Sequence, residues 1–107
     1  MKGAKKYKLL VVDNEEKNIK LMGVMLNNYG YDFEDARNGI EALKKAKEIM
    51  PDLIFLDIMM PEMDGFEVCR RLKEDPKTNQ IPVIIVTALD DRKARLKALE
   101  MGASDFI

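Results

Sequence analysis

The chain has 107 residues, of which 47% are apolar and 35% charged, and its formal net charge is −1. This length predicts one domain over residues 1–107, and the small net charge gives no global field for nucleic acid or anionic membranes. There is no histidine and one cysteine, Cys69, which excludes an intrachain disulfide, the common zinc sites and a histidine-based triad. No apolar run approaches the ~20 residues that span a bilayer. The charged start lacks the apolar core of a signal peptide, so we expect a cytoplasmic protein.

Strands and helices are predicted to alternate from the start of the chain. Residues 8–12 form a short apolar run that predicts a buried strand ending at Asp13. Asn14 is the expected N-cap of the first helix, and Gly30 is expected to follow its last turn. Alternation over residues 31–36 predicts a second strand, whose polarity suits an edge of the sheet. Apolar residues then repeat at helical spacing in a second helix, at Ile40, Leu43, Ala46 and Met50.

The second half of the chain continues this alternation. Residues 53–56 predict a third strand, and Asp64 is the expected N-cap of a third helix. Residues 83–87 give the strongest strand pattern, and a fourth helix separates them from a fifth strand over 103–107. The order βαβαβαβαβ predicts an α/β fold with a doubly wound, five-stranded parallel sheet and helices on both faces.

Acidic and hydroxyl side chains end three of the predicted strands. Asp13, Asp57 and Thr87 follow the first, third and fourth strands, whose carboxyl ends share one edge of a parallel sheet. If the first and third strands are neighbours, their spacing of about 4.8 Å lets the two carboxylates share an ion. Mg²⁺ is the expected ion because it binds a few carboxylates together with water and phosphate oxygens. Beside such a metal, Asp57 is the candidate nucleophile toward a phosphoryl group, and Thr87 a candidate hydrogen-bond donor to it.

Four segments carry a family resemblance: LLVVDNEE at 9–16, DIMMPEMDG at 57–65, IVTA at 85–88 and GASDF at 102–106. Together they resemble the receiver domain of two-component response regulators, over nearly the whole chain. The resemblance implies a flavodoxin-like fold with five parallel strands in the order 2-1-3-4-5.

The resemblance also implies a role for each matching residue. Asp57 would accept phosphate from a sensor histidine kinase or phosphotransfer protein, or from a small phosphodonor, and lose it by autodephosphorylation. Thr87 would be the switch hydroxyl and Phe106 the switch aromatic, controlling an output domain or effector protein. Such a domain is a phosphoacceptor rather than a conventional enzyme, with no direct binding to nucleic acid or membranes. The implied Mg²⁺ ligands are Asp13, Asn14, Asp57 and the backbone carbonyl of Met59.

The chain departs from the family pattern in two places. The family has a second acid where this chain has Asn14, and both natural divergence and an engineered change would explain the difference. A neutral amide oxygen binds Mg²⁺ less well than a carboxylate. The family's phosphate-pairing lysine and last helix would follow Ile107, so we expect the final helix to be missing and the domain to be C-terminally incomplete. One sheet face would then be partly uncovered, which predicts self-association through that face or marginal stability.

Three other functions share parts of the pattern. The first is an interaction module that works without phosphorylation, either a pseudo-receiver or a truncated or engineered fragment. Asn14 favours this function. A flavin-binding domain of flavodoxin type needs a loop rich in Ser, Thr and Gly after the first strand, where residues 13–16 are Asp-Asn-Glu-Glu and repel phosphate. A phosphatase of the Asp-x-Asp type would use Asp13 as its nucleophile and needs an aspartate where the chain has Glu15.

Overall fold

Strands and helices alternate through the residues that the computed structural model describes, which are 7–86, 96–97 and 99–106, with 105 and 106 described as backbone. Residues 96–97 and 99–100 are helical. Among the described residues, no helix has the length and apolar character that crossing a membrane requires. The remaining elements are β1 (Lys8–Val12), α1 (Glu16–Asn28), β2 (Asp32–Ala36), α2 (Gly39–Ile49), β3 (Leu53–Asp57), α3 (Gly65–Glu74), β4 (Val83–Val86) and β5 (Asp105–Phe106).

The five strands form one parallel sheet in the order β2-β1-β3-β4-β5. This confirms the flavodoxin-like α/β fold and the edge position of β2. It also confirms that β1 and β3 are neighbours, with Val12 paired to Leu56. On the other side of β3, Asp57 pairs with Val86 of β4. The carboxyl ends of these three central strands therefore meet at one edge of the sheet.

The helix ends show where local sequence signals decide the structure. Asp64 caps α3 as predicted, because its carboxylate accepts a hydrogen bond from the N–H three residues later at 2.9 Å. Gly30 follows α1 with φ +81°, a left-handed backbone that glycine adopts without strain. The predicted cap at Asn14 is wrong, since Glu15 is the N-cap residue of α1 and its side chain makes no capping hydrogen bond. The carboxylate of Asp13 binds the N–H of Glu15 at 2.9 Å, and this turn delays the helix by one residue.

Alternate residues of the strands divide the core between two faces of the sheet. On the covered face, where α2 and α3 pack, sixteen of the described residues are buried in one cluster. The strand residues in that cluster include Leu10, Val12, Ile54, Leu56, Val83 and Ile85. On the opposite side, which we call the α1 face, the cluster of buried described residues has four members: Leu9, Val11, Ile19 and Leu26.

The α1 face is open along one side of α1. Two clefts of about 350 and 440 Å³ lie there, and Phe55 lines both of them. Leu21 and Met25 on α1 remain 60% and 58% exposed. The described residues of this face therefore form an accessible apolar surface, which agrees with the partly uncovered face expected from the sequence.

Candidate functional site

Two carboxylates lie together at the carboxyl ends of β1 and β3. Val12 and Leu56 pair in register, so Asp13 and Asp57 are the next residues along the two neighbouring strands. Both acids line the cleft of about 350 Å³ beside α1. The structure therefore brings together the two acids that the sequence placed at strand ends, and leaves them accessible from the α1 face.

Asp13 is fixed by the elements on either side of it. Its N–H donates to the carbonyl oxygen of Ala36 at 3.0 Å, which ties it to the end of β2. Its Oδ1 accepts the hydrogen bond from the N–H of Glu15 that begins α1. The half-buried carboxylate is thus held by backbone on both sides, and it needs no side-chain partner to stay at the sheet edge.

Asp57, the last residue of β3, has an altered ionisation. Burial raises the pKa of its carboxyl to about 6, and the negative charges of Asp13 and, more weakly, Glu15 act in the same direction. Hydrogen bonds from the backbone of Met59 and Ile58 oppose this rise in pKa. The one from the Met59 N–H reaches Oδ1 over 3.4 Å and is weak. Asp57 therefore carries a charge that its surroundings do not fully stabilise.

The loop after Asp57 is closed tightly at its base. The N–H of Gly65 donates to the carbonyl oxygen of Ile58 at 2.9 Å. A Cβ atom at position 65 would lie 2.3 Å from the carbonyl oxygen of Asp57, well inside van der Waals contact. Glycine is therefore required for α3 to begin against the strand that carries Asp57. The Asp-Gly pair at 64–65 signals a helix start in the sequence, but it does not reveal this close approach.

The oxygen atoms at this edge fit a hard divalent cation. Asp13 and Asp57 supply two carboxylates whose mutual repulsion contributes to the raised pKa of Asp57, and a bound cation removes that repulsion. In the described part of the chain, no group of three or more acidic, cysteine or histidine side chains is close enough to hold a metal. Two carboxylates completed by water and phosphate oxygens suit Mg²⁺ better than a cage built from protein alone. Asn14, beside Asp13 in the chain, has an exposed side chain.

Two predicted site residues are not placed by the structure. Thr87 lies outside the described residues, as does most of the predicted fourth helix, although Val86 just before Thr87 pairs with Asp57. The backbone of Phe106 belongs to β5 and pairs with Ile85, while its side chain lies outside the description. The roles of Thr87 and Phe106 therefore stay predictions.

Sequence reasoning missed how the two glutamates at the start of α1 differ. Glu16 forms an ion pair with Arg37, which follows β2. The carboxylate of Glu15 makes no hydrogen bond or ion pair with any described residue, yet its charge contributes to the raised pKa of Asp57. In the sequence, the position of Arg37 directly after the predicted second strand is a signal that could have indicated this ion pair.

Comparison with known proteins agrees with this geometry. The family model described as response regulator receiver domain matches residues 9–107. Response regulator PleD of Caulobacter vibrioides is 50% identical over 100 residues, which are 94% of this chain and 22% of PleD. The alkaline phosphatase synthesis transcriptional regulatory protein PhoP of Bacillus subtilis is 43% identical over 100 residues, covering 94% of this chain and 41% of PhoP. The chain thus spans less than half the length of either relative.

A solved structure shows the same fold. The N-terminal domain of a response regulator receiver protein from Methanoculleus marisnigri superposes with a TM-score of 0.88 and 36% identity. The match covers 96% of this chain and 84% of that one. Sequence and fold therefore agree over nearly all of the chain.

Proposed function

Because the chain belongs to the response regulator receiver domain family of two-component signalling, we propose that Asp57 accepts a phosphoryl group from a histidine kinase or phosphotransfer protein. The observation that carries this proposal is the position of Asp57 at the end of β3, beside Asp13 and open to a cleft. With a pKa of about 6, most of the Asp57 carboxyl is ionised at neutral pH and available as a nucleophile.

The proposed transfer exchanges one bond to phosphorus for another. A carboxylate oxygen of Asp57 attacks the phosphorus, and a new P–O bond creates an acyl phosphate. The bond from phosphorus to the donor nitrogen of phosphohistidine, or to the donor oxygen of acetyl phosphate, breaks, and its electron pair leaves with the donor. Attack by water on the acyl phosphate later releases inorganic phosphate and restores the carboxylate. The domain is thus a phosphoacceptor with autodephosphorylation, not a conventional enzyme.

Mg²⁺ is the proposed cofactor of this transfer. The residues that would hold it are Asp13 and Asp57, with the amide oxygen of Asn14 and the backbone carbonyl of Met59 as further proposed ligands. When bound, the cation supplies positive charge against the oxygens of the transferring phosphoryl group. The backbone N–H donors of Met59 and Ile58 help to keep the Asp57 carboxylate in place, and Asp13 supplies the second carboxylate beside it. Asn14 adds no negative charge, so we propose a lower metal affinity than two adjacent acids would give.

The proposed readout uses Thr87 and Phe106. The backbone register supports this, because β4 pairs with Asp57 on one side and with Phe106 on the other. We propose that the hydroxyl of Thr87 donates a hydrogen bond to a phosphoryl oxygen and that Phe106 changes position with it. The charge added at Asp57 would then shift the conformation of a surface that an output domain or effector protein contacts.

Direct binding of nucleic acid is not part of this proposal. The two arginines of α3 are ion-paired along the helix, Arg70 with Glu67 and Glu74, and Arg71 with Glu67. The remaining basic side chain of α3, Lys73, donates to the backbone carbonyls of Asn79 and Ile81. These charges are therefore largely neutralised by their neighbours, and they form no basic patch for phosphates. We propose a cytoplasmic location for the same signalling role.

The α1 face supports a proposal of self-association for the 107-residue chain. Leu21 and Met25 are exposed beside the partly buried Met22 and Phe55, so a contiguous apolar surface meets water. Sedimentation velocity over a range of concentrations tests this proposal. A concentration-dependent rise in sedimentation coefficient, reduced in Leu21→Glu, is expected, whereas a monomer at every concentration would contradict it.

Incubation with acetyl phosphate and Mg²⁺, followed by intact-mass and peptide mass spectrometry, tests the acceptor role. We expect one added phosphoryl group on Asp57, which should not form when EDTA has removed the metal beforehand and should be absent from Asp57→Asn. The same variant is the control for beryllofluoride, which should perturb backbone resonances near Asp57 only in the unaltered chain. Phosphorylation at a different residue would overturn the assignment of Asp57.

A phosphorylation-independent interaction module is the second candidate function. Asn14 favours it, because the chain lacks a carboxylate that the family usually has at this position. The outcome that separates the two functions is the response of Asn14→Asp. If neither the unaltered chain nor this variant is modified at Asp57 by either reagent, the interaction module is the better account.

A further inference from the structure

The side of α1 that points away from the sheet is apolar. Leu21, Val24 and Met25 follow one another at helical spacing on this side and are 60%, 60% and 58% exposed. On the opposite side of the helix, Ile19 and Leu26 are buried against the sheet. α1 therefore has a second apolar side, an exposed stripe formed by Leu21, Val24 and Met25, which can pack against another surface.

Charged side chains lie on both sides of this exposed stripe, negative on one side and positive on the other. Asp13 and Asp57 line the cleft of about 350 Å³, which Leu21 also lines. Lys17 and Lys20 line a second depression of about 500 Å³, and Leu21 borders this one too. None of these four charged side chains forms an ion pair with a described residue, whereas most charges of α3 are paired within that helix. Charges of both signs are thus available to a partner that packs on the stripe.

Such a surface is complementary to a second copy of itself. In a two-fold symmetric pair every contact occurs twice, so the surface must match itself in both shape and charge. When the stripe of one copy packs into the cleft of the other beside Phe55, Lys17 and Lys20 of the first copy approach the two acids of the second. This pairing matters because carboxylates buried at an interface without a cation oppose association. The charges therefore favour a second copy of this chain over an uncharged apolar partner.

We propose that a second copy of this chain occupies the cleft and so shields Asp57 from phosphodonors. This inference rests on the acceptor role proposed for Asp57, and it identifies the part of the α1 face through which the chain self-associates. Because Asp57 lines the cleft, an associated chain accepts no phosphoryl group until the second copy leaves. A phosphoryl group on Asp57 in turn takes up the space of the second copy's side chains, so phosphorylation shifts the equilibrium toward the monomer. Self-association thus inhibits phosphorylation in a concentration-dependent way.

The first test measures the rate of phosphorylation per molecule by acetyl phosphate and Mg²⁺ at a series of protein concentrations. We expect this rate to fall about 5–10-fold between concentrations at which sedimentation velocity shows mostly monomer and mostly associated chain. The double variant Lys17→Glu with Lys20→Glu should stay monomeric, and its rate per molecule should not depend on concentration. Each form is compared with its own rate at low concentration, which removes any direct effect of the changed charge on the chemistry.

The matched control for this test is the double variant Lys44→Glu with Lys77→Glu. It makes the same change in net charge at two exposed positions that line neither depression. We expect it to associate, and to slow with concentration, like the unaltered chain. Thermal unfolding of both double variants confirms that each is folded.

The second test does not depend on phosphorylation. A carbodiimide joins a lysine amine to a carboxylate in direct contact, and a mixture of isotope-labelled and unlabelled chains distinguishes links between copies by their mass. We expect links between copies that join Lys17 or Lys20 to Asp13 or Asp57, identified by peptide mass spectrometry.

An associated chain whose rate per molecule does not change with concentration would overturn the inference while leaving the acceptor role of Asp57 in place. Links between copies that join only other residues would also overturn it, because the second copy then occupies a different surface. A chain that is monomeric at every concentration would do so as well, and the cleft would then be open to a different partner. If acetyl phosphate does not modify Asp57 in the monomer, the acceptor role fails, and the cross-links alone decide whether a second copy occupies the cleft.

Discussion

The two faces of the sheet are built from the same strands but differ in how well they are packed. The covered face buries sixteen of the described residues in one cluster, whereas the α1 face buries four. Neighbours along β3 go to opposite faces, with Leu56 fully buried under α2 and α3 and Phe55 only partly buried beside α1. Both acids of the candidate site line a cleft of the less buried face. Packing therefore stabilises the domain mainly from one side, while the site opens toward the other.

The largest expected effect is a difference in folding stability between two Leu→Ala variants of β3, one on each face of the sheet. Leu56→Ala removes a fully buried side chain on the covered face and should lower the free energy of unfolding by about 3–4 kcal/mol. Leu53→Ala, on the α1 face, removes a partly buried side chain and should cost about 1–2 kcal/mol. Urea unfolding of both variants measures the difference. Equal losses would show that the faces contribute equally to stability.

A second pair of variants replaces two helical glycines by alanine. One glycine lies against backbone that cannot move, and the other against a side chain that can. A methyl group at Gly65 would meet the backbone oxygen of Asp57 at 2.3 Å, so Gly65→Ala should destabilise the fold by about 2–3 kcal/mol. A methyl group at Gly23 would meet the ring of Phe33 at 2.6 Å, but this side chain lies on the α1 face and can move aside. Because alanine favours helix by about 1 kcal/mol over glycine, Gly23→Ala should be close to neutral. Thermal unfolding that ranks the variants the other way would contradict this contrast.

Asp57→Asn should stabilise the metal-free domain, whereas Leu56→Ala on the covered face should destabilise it. The folded pKa of about 6 exceeds the ordinary 3.8, so the folded state binds more protons between these values. The free energy of unfolding should therefore fall as pH rises from about 4 to 6, by about 1–2 kcal/mol after allowance for solvent screening. Asparagine cannot ionise, so the variant should lack this fall and be the more stable form at pH 7. If the free energy of unfolding changed with pH in the same way for both forms over that range, the prediction would be contradicted.

The smallest effect concerns the metal at the open face. Asn14→Asp should tighten Mg²⁺ binding by about 3–10-fold, because a carboxylate replaces a neutral amide oxygen next to Asp13. Isothermal titration calorimetry measures the change, with Asn27→Asp, at an exposed position of α1 outside the cleft, as a control for added charge. Unchanged affinity in Asn14→Asp would mean that position 14 does not face the metal.

Much of the fold follows from the sequence because burial in parallel strands leaves a clear pattern. Short apolar runs ending in polar residues predicted the strands, whereas their order in the sheet was implied by the family resemblance. The predicted cap at Asp64 is confirmed. The start of α1 was misplaced by one residue, because Asp13 and Asn14 are both short polar side chains that can bind a nearby N–H. Which of them does so depends on how β1 and β2 hold the chain, and local sequence does not contain that information.

The candidate site was only partly predictable for a related reason. Strand ends identified Asp13 and Asp57, since each acid directly follows apolar strand residues. The raised pKa of Asp57 depends on burial and on the adjacency of β1 and β3, and the contact of Gly65 with the Asp57 backbone depends on the path of α3. Such features arise from parts of the chain that are distant in sequence, so periodicity and spacing do not reveal them.

The hydrogen bond that closes the loop between Ile58 and Gly65 also matters for protein engineering. It holds the two ends of the loop together. Glu62, exposed in the loop, has a left-handed backbone with φ +68° and belongs to neither the strand before the loop nor the helix after it. Since the entropic cost of a loop grows only slowly with its length, a short peptide tag inserted after Glu62 should leave Asp57 and its strand in place. A backbone NMR spectrum unchanged outside the loop would verify this. The insertion point would then serve as a site for labelling the domain.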